Sequence, residues 1–200
     1  MYKRQASTLQ KRLQPQIEAI EMPPGYSLEW GGEYESSADA QASLFTTMPL
    51  GYLFMFLITV FLFNSVKEPL IVWLTVPLAL IGVTTGLLAL NTPFGFMALL
   101  GFLSLSGMLL KNGIVLLDQI GIEMKSGKDP YVAVVDAALS RVRPVCMAAI
   151  TTILGMIPLL PDIFFKPMAV TIMFGLGFAT VLTLIVVPVL YRLFHKIEVR

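Results

Sequence analysis

Lys111 lies in the stretch "SLSGMLLKNGIVLLDQ", residues 104–119, where the next charge is Asp118. The chemistry open to an ammonium group in such a run is limited. It can pair with carboxylates and take part in a proton or ion relay, or it can snorkel toward the nearer surface and tie helices together. A lysine at the centre of a membrane span costs about 2.5–3.5 kcal/mol on insertion scales, and such residues normally face protein or a water-filled cavity. Ionisable residues inside a membrane are functional by default, which makes the relay the preferred reading. Asp118 follows seven residues later, about 10 Å along a helix, and shares the face. Ser104, Gly107 and Lys111 recur at three and four residues, a small and polar stripe that suits a crowded helix interface. Asn112 adds an amide able to hydrogen-bond across helices. Thr151 and Thr152 either bond their own helix backbone or offer hydroxyls to a water chain.

The elements that must position these groups are long apolar segments. Five are expected, at roughly 46–64, 69–90, 94–119, 144–160 and 168–193. A span needs about 20 helical residues, with about 17–25 usual. Lys111 falls 17 residues after Phe94, or about 26 Å along the third segment. The joints "NSVKEP", "NTPFG" and "PDIFFKP" carry turn and breaker residues. Pro77 and Pro188 lie inside apolar segments, where neighbours can satisfy the freed carbonyls. "GVTTG", Gly82 to Gly86, allows close helix approach. Between the third and fourth segments, "KDPYVAVVDAALSRVRP" offers Asp129 as N-cap and Pro130 at the first helical position. A helix lying along the cytoplasmic surface is expected at about 130–141, with Tyr131, Val134, Val135 and Ala138 forming one stripe. Arg141 and Arg143 at its end suit the helix dipole and an anionic leaflet.

Ahead of the spans, residues 6–20 read as an amphipathic helix with Leu9, Leu13, Ile17 and Ile20 on one face. "YSLEWGG" alternates, which predicts a strand presenting Tyr26, Leu28 and Trp30 to a core. One helix and one strand cannot close a core, so residues 1–45 are expected to end a larger water-soluble domain, and the chain to be part of something longer. The fold class is therefore an all-α polytopic membrane bundle of five transmembrane helices, preceded by a small α+β remnant. The spans and surface helix occupy 46–194, and 195–200 form a tail.

Composition agrees. The 200 residues are 56% hydrophobic and 14% charged, with a mean hydropathy of +0.78. Soluble domains are usually about 45–50% apolar and about 25% charged. The net charge of +1 points to no nucleic-acid partner. The single cysteine, Cys146, forbids an intrachain disulfide and reads as a small apolar helix residue. His195 reads as interfacial. Metal-ligand clusters, nucleophile elbows and phosphate loops are missing from the sequence, so neither an enzyme nor a bound cofactor is expected. Lys67, Lys125, Lys128, Arg141, Arg143, Arg192, Lys196 and Arg200 fall on one side of the five spans, against Lys166 on the other. The positive-inside rule makes the first side cytoplasmic, with the N-terminal segment outside.

"GMLLKNGIVLLDQ", "DAALSRVRPVCMAAITTILGMIPLLP" and "MAVTIMFGLGFATVLTLIVVPVLY" closely resemble the C-terminal end of resistance–nodulation–division (RND) efflux pump permeases of the hydrophobe/amphiphile efflux type. "PPGYSLEWGGEYE" resembles the strand closing their last periplasmic porter subdomain. The resemblance runs from about Ala6 onward. It implies a twelve-span inner-membrane drug/proton antiporter of which this chain holds the last five spans. It implies a homotrimer in membrane lipid, docked to a periplasmic adaptor and an outer-membrane channel, exporting small amphiphilic substrates. The proton gradient supplies the energy. Protonation of an aspartate pair in the remainder of the permease would alter its salt bridge to the lysine matching Lys111. Asn112 matches that lysine's companion, and Arg141 an arginine at the cytoplasmic mouth of the proton path. Where many members carry a relay threonine this sequence has Ala148, so Thr151, Thr152 or water would supply the hydroxyl. Asp118 completes the expected relay group. Rival readings are a related transport-fold protein for lipid, sterol or preprotein, and a structural or nonfunctional membrane fragment.

Overall fold

The structure, a computed structural model, describes residues 6–20, 23, 25, 28 and 33–197. Its elements are α1 (Ala6–Glu18), α2 (Glu33–Phe63), α3 (Lys67–Ala89), α4 (Phe96–Lys125), α5 (Pro130–Met156), a short 3-10 turn (Ile157–Leu159) and α6 (Lys166–Phe194). Among the described residues there is no strand. Leu28 has no regular structure, and Tyr26 and Trp30 of the expected strand lie outside the described residues. Among the described residues, the expected α+β remnant is thus represented by α1 alone.

The chain divides into two compact units, residues 1–52 and 53–200. In the first, α1 runs through Pro15 and leaves Leu13 and Ile20 exposed. Residues 36–45, ahead of the first expected span, are already helical, because α2 begins at Glu33.

The second unit is built on α3, α4 and α6. One cluster of buried side chains joins Ile71, Val72 and Val76 to Leu116, Leu117, Ile120, Val187 and Tyr191. A second, toward the other end, joins Ala79, Val83 and Leu87 to Ala98, Leu105, Leu109, Leu176 and Ala179. Lipid tails are as apolar as leucine, so such helices are held by close packing rather than by expulsion of water. Glycine permits that packing here. A Cβ built on Gly82 would meet Phe178 Cβ at 2.5 Å and the Phe174 carbonyl oxygen at 2.8 Å. One built on Gly86 would meet Phe174 Cβ at 2.4 Å. The close approach expected at "GVTTG" is therefore the α3–α6 seam. Gly101 against Met168, Gly113 against Val72 and Gly175 against Leu105 make three further tight crossings. From Leu53 to Phe63, α2 is mostly exposed, with Trp73 meeting Phe56 edge-on at 5.8 Å.

The turns follow from local chemistry. Asn64 and Asn91 take φ of 48° and 47° after α2 and α3, a left-handed conformation that asparagine tolerates better than most residues. Asp129 caps α5, its Oδ1 accepting from the Tyr131 amide at 3.0 Å. Asp129→Ala is expected to cost about 1 kcal/mol and to speed amide exchange in the first turn of α5 selectively. Two expectations about this helix are corrected. It does not stop near residue 141 but continues through Pro144 to Met156. Its buried stripe is Ala133, Val134 and Ala137, while Tyr131 and Val135 are exposed. A stripe at three- and four-residue spacing has two nearby registers, and the small alanines fit the closer approach.

Candidate functional site

On a helical wheel of 3.6 residues per turn, the buried residues of α4 (Ala98, Leu105, Leu109, Gly113, Leu116 and Ile120 among them) form one broad arc. Lys111 and Asp118 point away from the middle of that arc, and both are exposed. Ser104 and Ile122 share their face and are exposed as well. Among the described residues, neither Lys111 nor Asp118 forms an ion pair. The stripe read as a crowded interface is therefore open on this chain, and a Cβ at Gly107 would meet nothing within 4 Å. The physical reason is direct. The apolar arc has partners in α3 and α6, whereas a lysine turned into that core would be a buried charge without a counter-ion.

Asn112 sits at the edge of the arc, half-buried, and its amide has no hydrogen-bond partner among the described residues. Thr151 Oγ1 donates to the Met147 and Ala148 carbonyls, each at 3.0 Å, and Thr152 Oγ1 donates to the Ala148 carbonyl at 2.8 Å. Both hydroxyl protons are spent within α5, and no hydrogen bond joins these threonines to Lys111 or Asn112.

Arg141 is brought to α4. Its Nη2 donates to Gln119 Oε1 at 2.7 Å. Gln119 Nε2 donates to Glu123 Oε1 at 3.0 Å. Glu123 Oε2 pairs with Lys128 Nζ at 2.8 Å, and Lys128 reaches Asp136 Oδ2 at 2.7 Å. Asp136 and then Glu123, by hydrogen bonding to its charged form, hold the Lys128 ammonium above the usual lysine range. Gln119, Glu123 and Asp136 escape the reading of the sequence, which takes Lys128 only as one of the cytoplasmic charges. The one local signal is the four-residue spacing of Gln119 and Glu123, ordinary on any helix surface.

At the same end, His195 Nε2 lies 3.3 Å from Glu68 Oε1. The His195 ring stacks on Tyr191 with centroids 4.1 Å apart. His195 thus links the start of α3 to the end of α6, more than an interfacial histidine need do. Arg192 lies over the exposed Tyr131 ring at 5.8 Å. Cys146 is free and half-buried. An apolar groove lined by Thr85, Ile153, Met173, Phe174 and Phe178 opens between α3, α5 and α6, and none of the charged stripe lines it.

Five helices long and apolar enough to span a bilayer, Asp39–Phe63, Lys67–Ala89, Phe96–Lys125, Pro130–Leu159 and Lys166–Phe194, define a multi-pass membrane protein. Residues 2–195 match the AcrB/AcrD/AcrF family, and the chain belongs to that family of RND efflux permeases. It is 34% identical over 182 residues to the cobalt-zinc-cadmium resistance protein CzcA of Cupriavidus metallidurans, covering 88% of this chain and 17% of that protein. The nickel and cobalt resistance protein CnrA of the same organism is 35% identical over 176 residues, covering 86% of this chain and 16% of the relative. The multidrug resistance protein MdtC of Salmonella paratyphi A is 30% identical over 152 residues, covering 73% and 15%. A crystal structure of a heavy metal efflux pump superposes with a TM-score of 0.74 at 29% identity, covering 98% of this chain and 20% of that one. The chain thus spans roughly a sixth of the length of these curated relatives, 17% of CzcA for example.

Proposed function

We propose that this chain forms the C-terminal share of the membrane domain of a proton-driven inner-membrane efflux permease, and that Lys111 is the cation on which proton coupling acts. One observation carries the reading. The lysine and Asp118 occupy the face of α4 that the chain's own helices leave open, unpaired among the described residues. A charge so placed calls for carboxylates from the rest of the permease. Protonating them would remove an attraction that is strong in a low-dielectric setting, enough to shift a two-state helix packing. In this reading Arg141 lies at the cytoplasmic mouth, Asn112 and Asp118 flank the lysine, and Thr151 or Thr152 serves through an acceptor lone pair, its proton being held by α5. The N-terminal segment is periplasmic and the C-terminus cytoplasmic. The assembly is a trimer with an adaptor and an outer-membrane channel.

Two cargoes are in view. The motifs resemble pumps for small amphiphilic compounds. The relatives named for cobalt, zinc, cadmium and nickel resistance are the more similar, at 34% and 35% identity against 30% for MdtC, and they favour metal cations. The assembled permease in proteoliposomes, given an imposed proton gradient, decides both questions. Gradient-dependent movement of a fluorescent amphiphile supports the first cargo, and movement of divalent cobalt, zinc or nickel the second. Movement that ignores collapse of the gradient would remove proton coupling.

A further inference from the structure

Gln119 is the joint of a polar line that starts and ends on α5 and crosses α4 between. The order is Arg141, Gln119, Glu123, Lys128, Asp136, with links of 2.7, 3.0, 2.8 and 2.7 Å. An amide is the side chain suited to its middle. Its carbonyl end accepts from a guanidinium while its NH2 end donates to a carboxylate, so the flanking charges fix its orientation. Arginine at the end of a surface segment ordinarily reaches water or lipid phosphates. Here Arg141 is half-buried and turned onto α4. Gln119 lies eight residues beyond Lys111, about 12 Å along the helix. The other charged groups on these elements are Asp118 on the open face of α4, Lys125 in its last turn, Asp129 capping α5 and Arg143 on α5.

We infer that Gln119 is a positioning residue for proton coupling: it holds the Arg141 guanidinium against α4, at a fixed depth below Lys111, and thereby locks α5 to the lysine's helix. The inference rests on the proposed function. A cation held there lowers the proton affinity of carboxylates that act on Lys111. Releasing it to the cytosol raises that affinity, so the pH of half-maximal transport moves upward. It also uncouples any shift of α4 from α5.

The test uses the assembled permease, with gradient-driven transport followed as a function of pH. Gln119→Leu removes both bonds. It is expected to slow transport roughly tenfold, the size of losing one charge-assisted hydrogen bond, and to raise the half-maximal pH by about half a unit to one unit. Gln119→Glu keeps an acceptor for Arg141 and should retain the transport rate far better than the leucine variant, while its added negative charge, which offsets the guanidinium, raises the half-maximal pH as leucine does. A purely structural filler would show the reverse order, since leucine is the more innocuous replacement in a membrane helix. If Gln119→Leu accumulates poorly, Gln119→Asn, one methylene too short to bridge, replaces it with the same expectation. Wild-type rate and pH profile in the leucine or asparagine variant overturn the positioning role, and Lys111→Ala run beside it keeps the two claims separate. An inactive Lys111→Ala then leaves the relay standing without the clasp, whereas an active one removes the relay itself.

Discussion

Lys111→Ala in the assembled permease is expected to abolish proton-coupled transport while the protein still accumulates, inserts and assembles. The two halves of that expectation have different grounds. The folding half comes from the contacts. Lys111 is exposed on the face of α4 opposite its buried arc and forms no ion pair among the described residues. Removing it leaves no cavity and orphans no partner within this chain. Alanine is also a better helix former and avoids the insertion cost of a charge. The functional half comes from electrostatics. Carboxylates opposed to the lysine would lose their counter-ion, bind protons in every state, and cease to distinguish the two sides of the membrane. Loss of transport should therefore be at least a hundredfold, since roughly 3 kcal/mol of coupling corresponds to that factor. Lys111→Arg should recover part of the activity, because it keeps the charge but replaces a compact ammonium with a planar fork. Transport at wild-type rate in the alanine variant, at normal abundance, would falsify the coupling role and leave the family assignment untouched.

The contrast between a silent contact map and a large functional effect follows from how the sequence encodes each. The spans were legible because apolar length is a local property. The expected 69–90 and 168–193 became Lys67–Ala89 and Lys166–Phe194. The fourth was misjudged because Pro144 reads as a boundary, yet α5 passes through it. A proline inside a membrane helix is tolerated when neighbours satisfy the freed carbonyl, and no local pattern reports those neighbours. Gly82 and Gly86 were legible because their four-residue spacing sits within one helix. Gly101, Gly113 and Gly175 each meet a different helix, so their spacing carries no signature. Lys111 stands out by its charge alone. The Arg141–Gln119 bond spans 22 positions, and a polar pair that far apart declares itself only once the helices are placed. The crowding expected around Gly107 has no counterpart within this chain for a related reason. Small residues mark a face that something approaches closely, but not whether that something lies in the same chain.

That distinction makes the glycines a sharp test of the packing. Gly82→Ala is expected to destabilise the 200-residue chain in micelles, even though alanine in a helix interior is favoured over glycine by about 1 kcal/mol. The added Cβ would stand 2.8 Å from the Phe174 carbonyl oxygen, a backbone atom, and 2.5 Å from Phe178 Cβ, both too near to accept it without displacement of α6. Overpacking of this kind costs typically about 1–3 kcal/mol, which outweighs the propensity gain. The seam is shared by α3 and α6, around which both buried clusters are organised, so the damage should spread beyond the site. Gly82→Leu should go further and lose ordered α3–α6 packing altogether. Gly107→Ala is the matched control. Its Cβ meets nothing within 4 Å in this chain, so only the propensity term remains, and the midpoint of thermal unfolding should stay level or rise. Opposite signs for the same chemical change, read as melting midpoints of the two alanine variants, would establish that α3 and α6 touch through Gly82. A Gly82→Ala protein as stable as the Gly107→Ala protein would mean that the two helices stand apart.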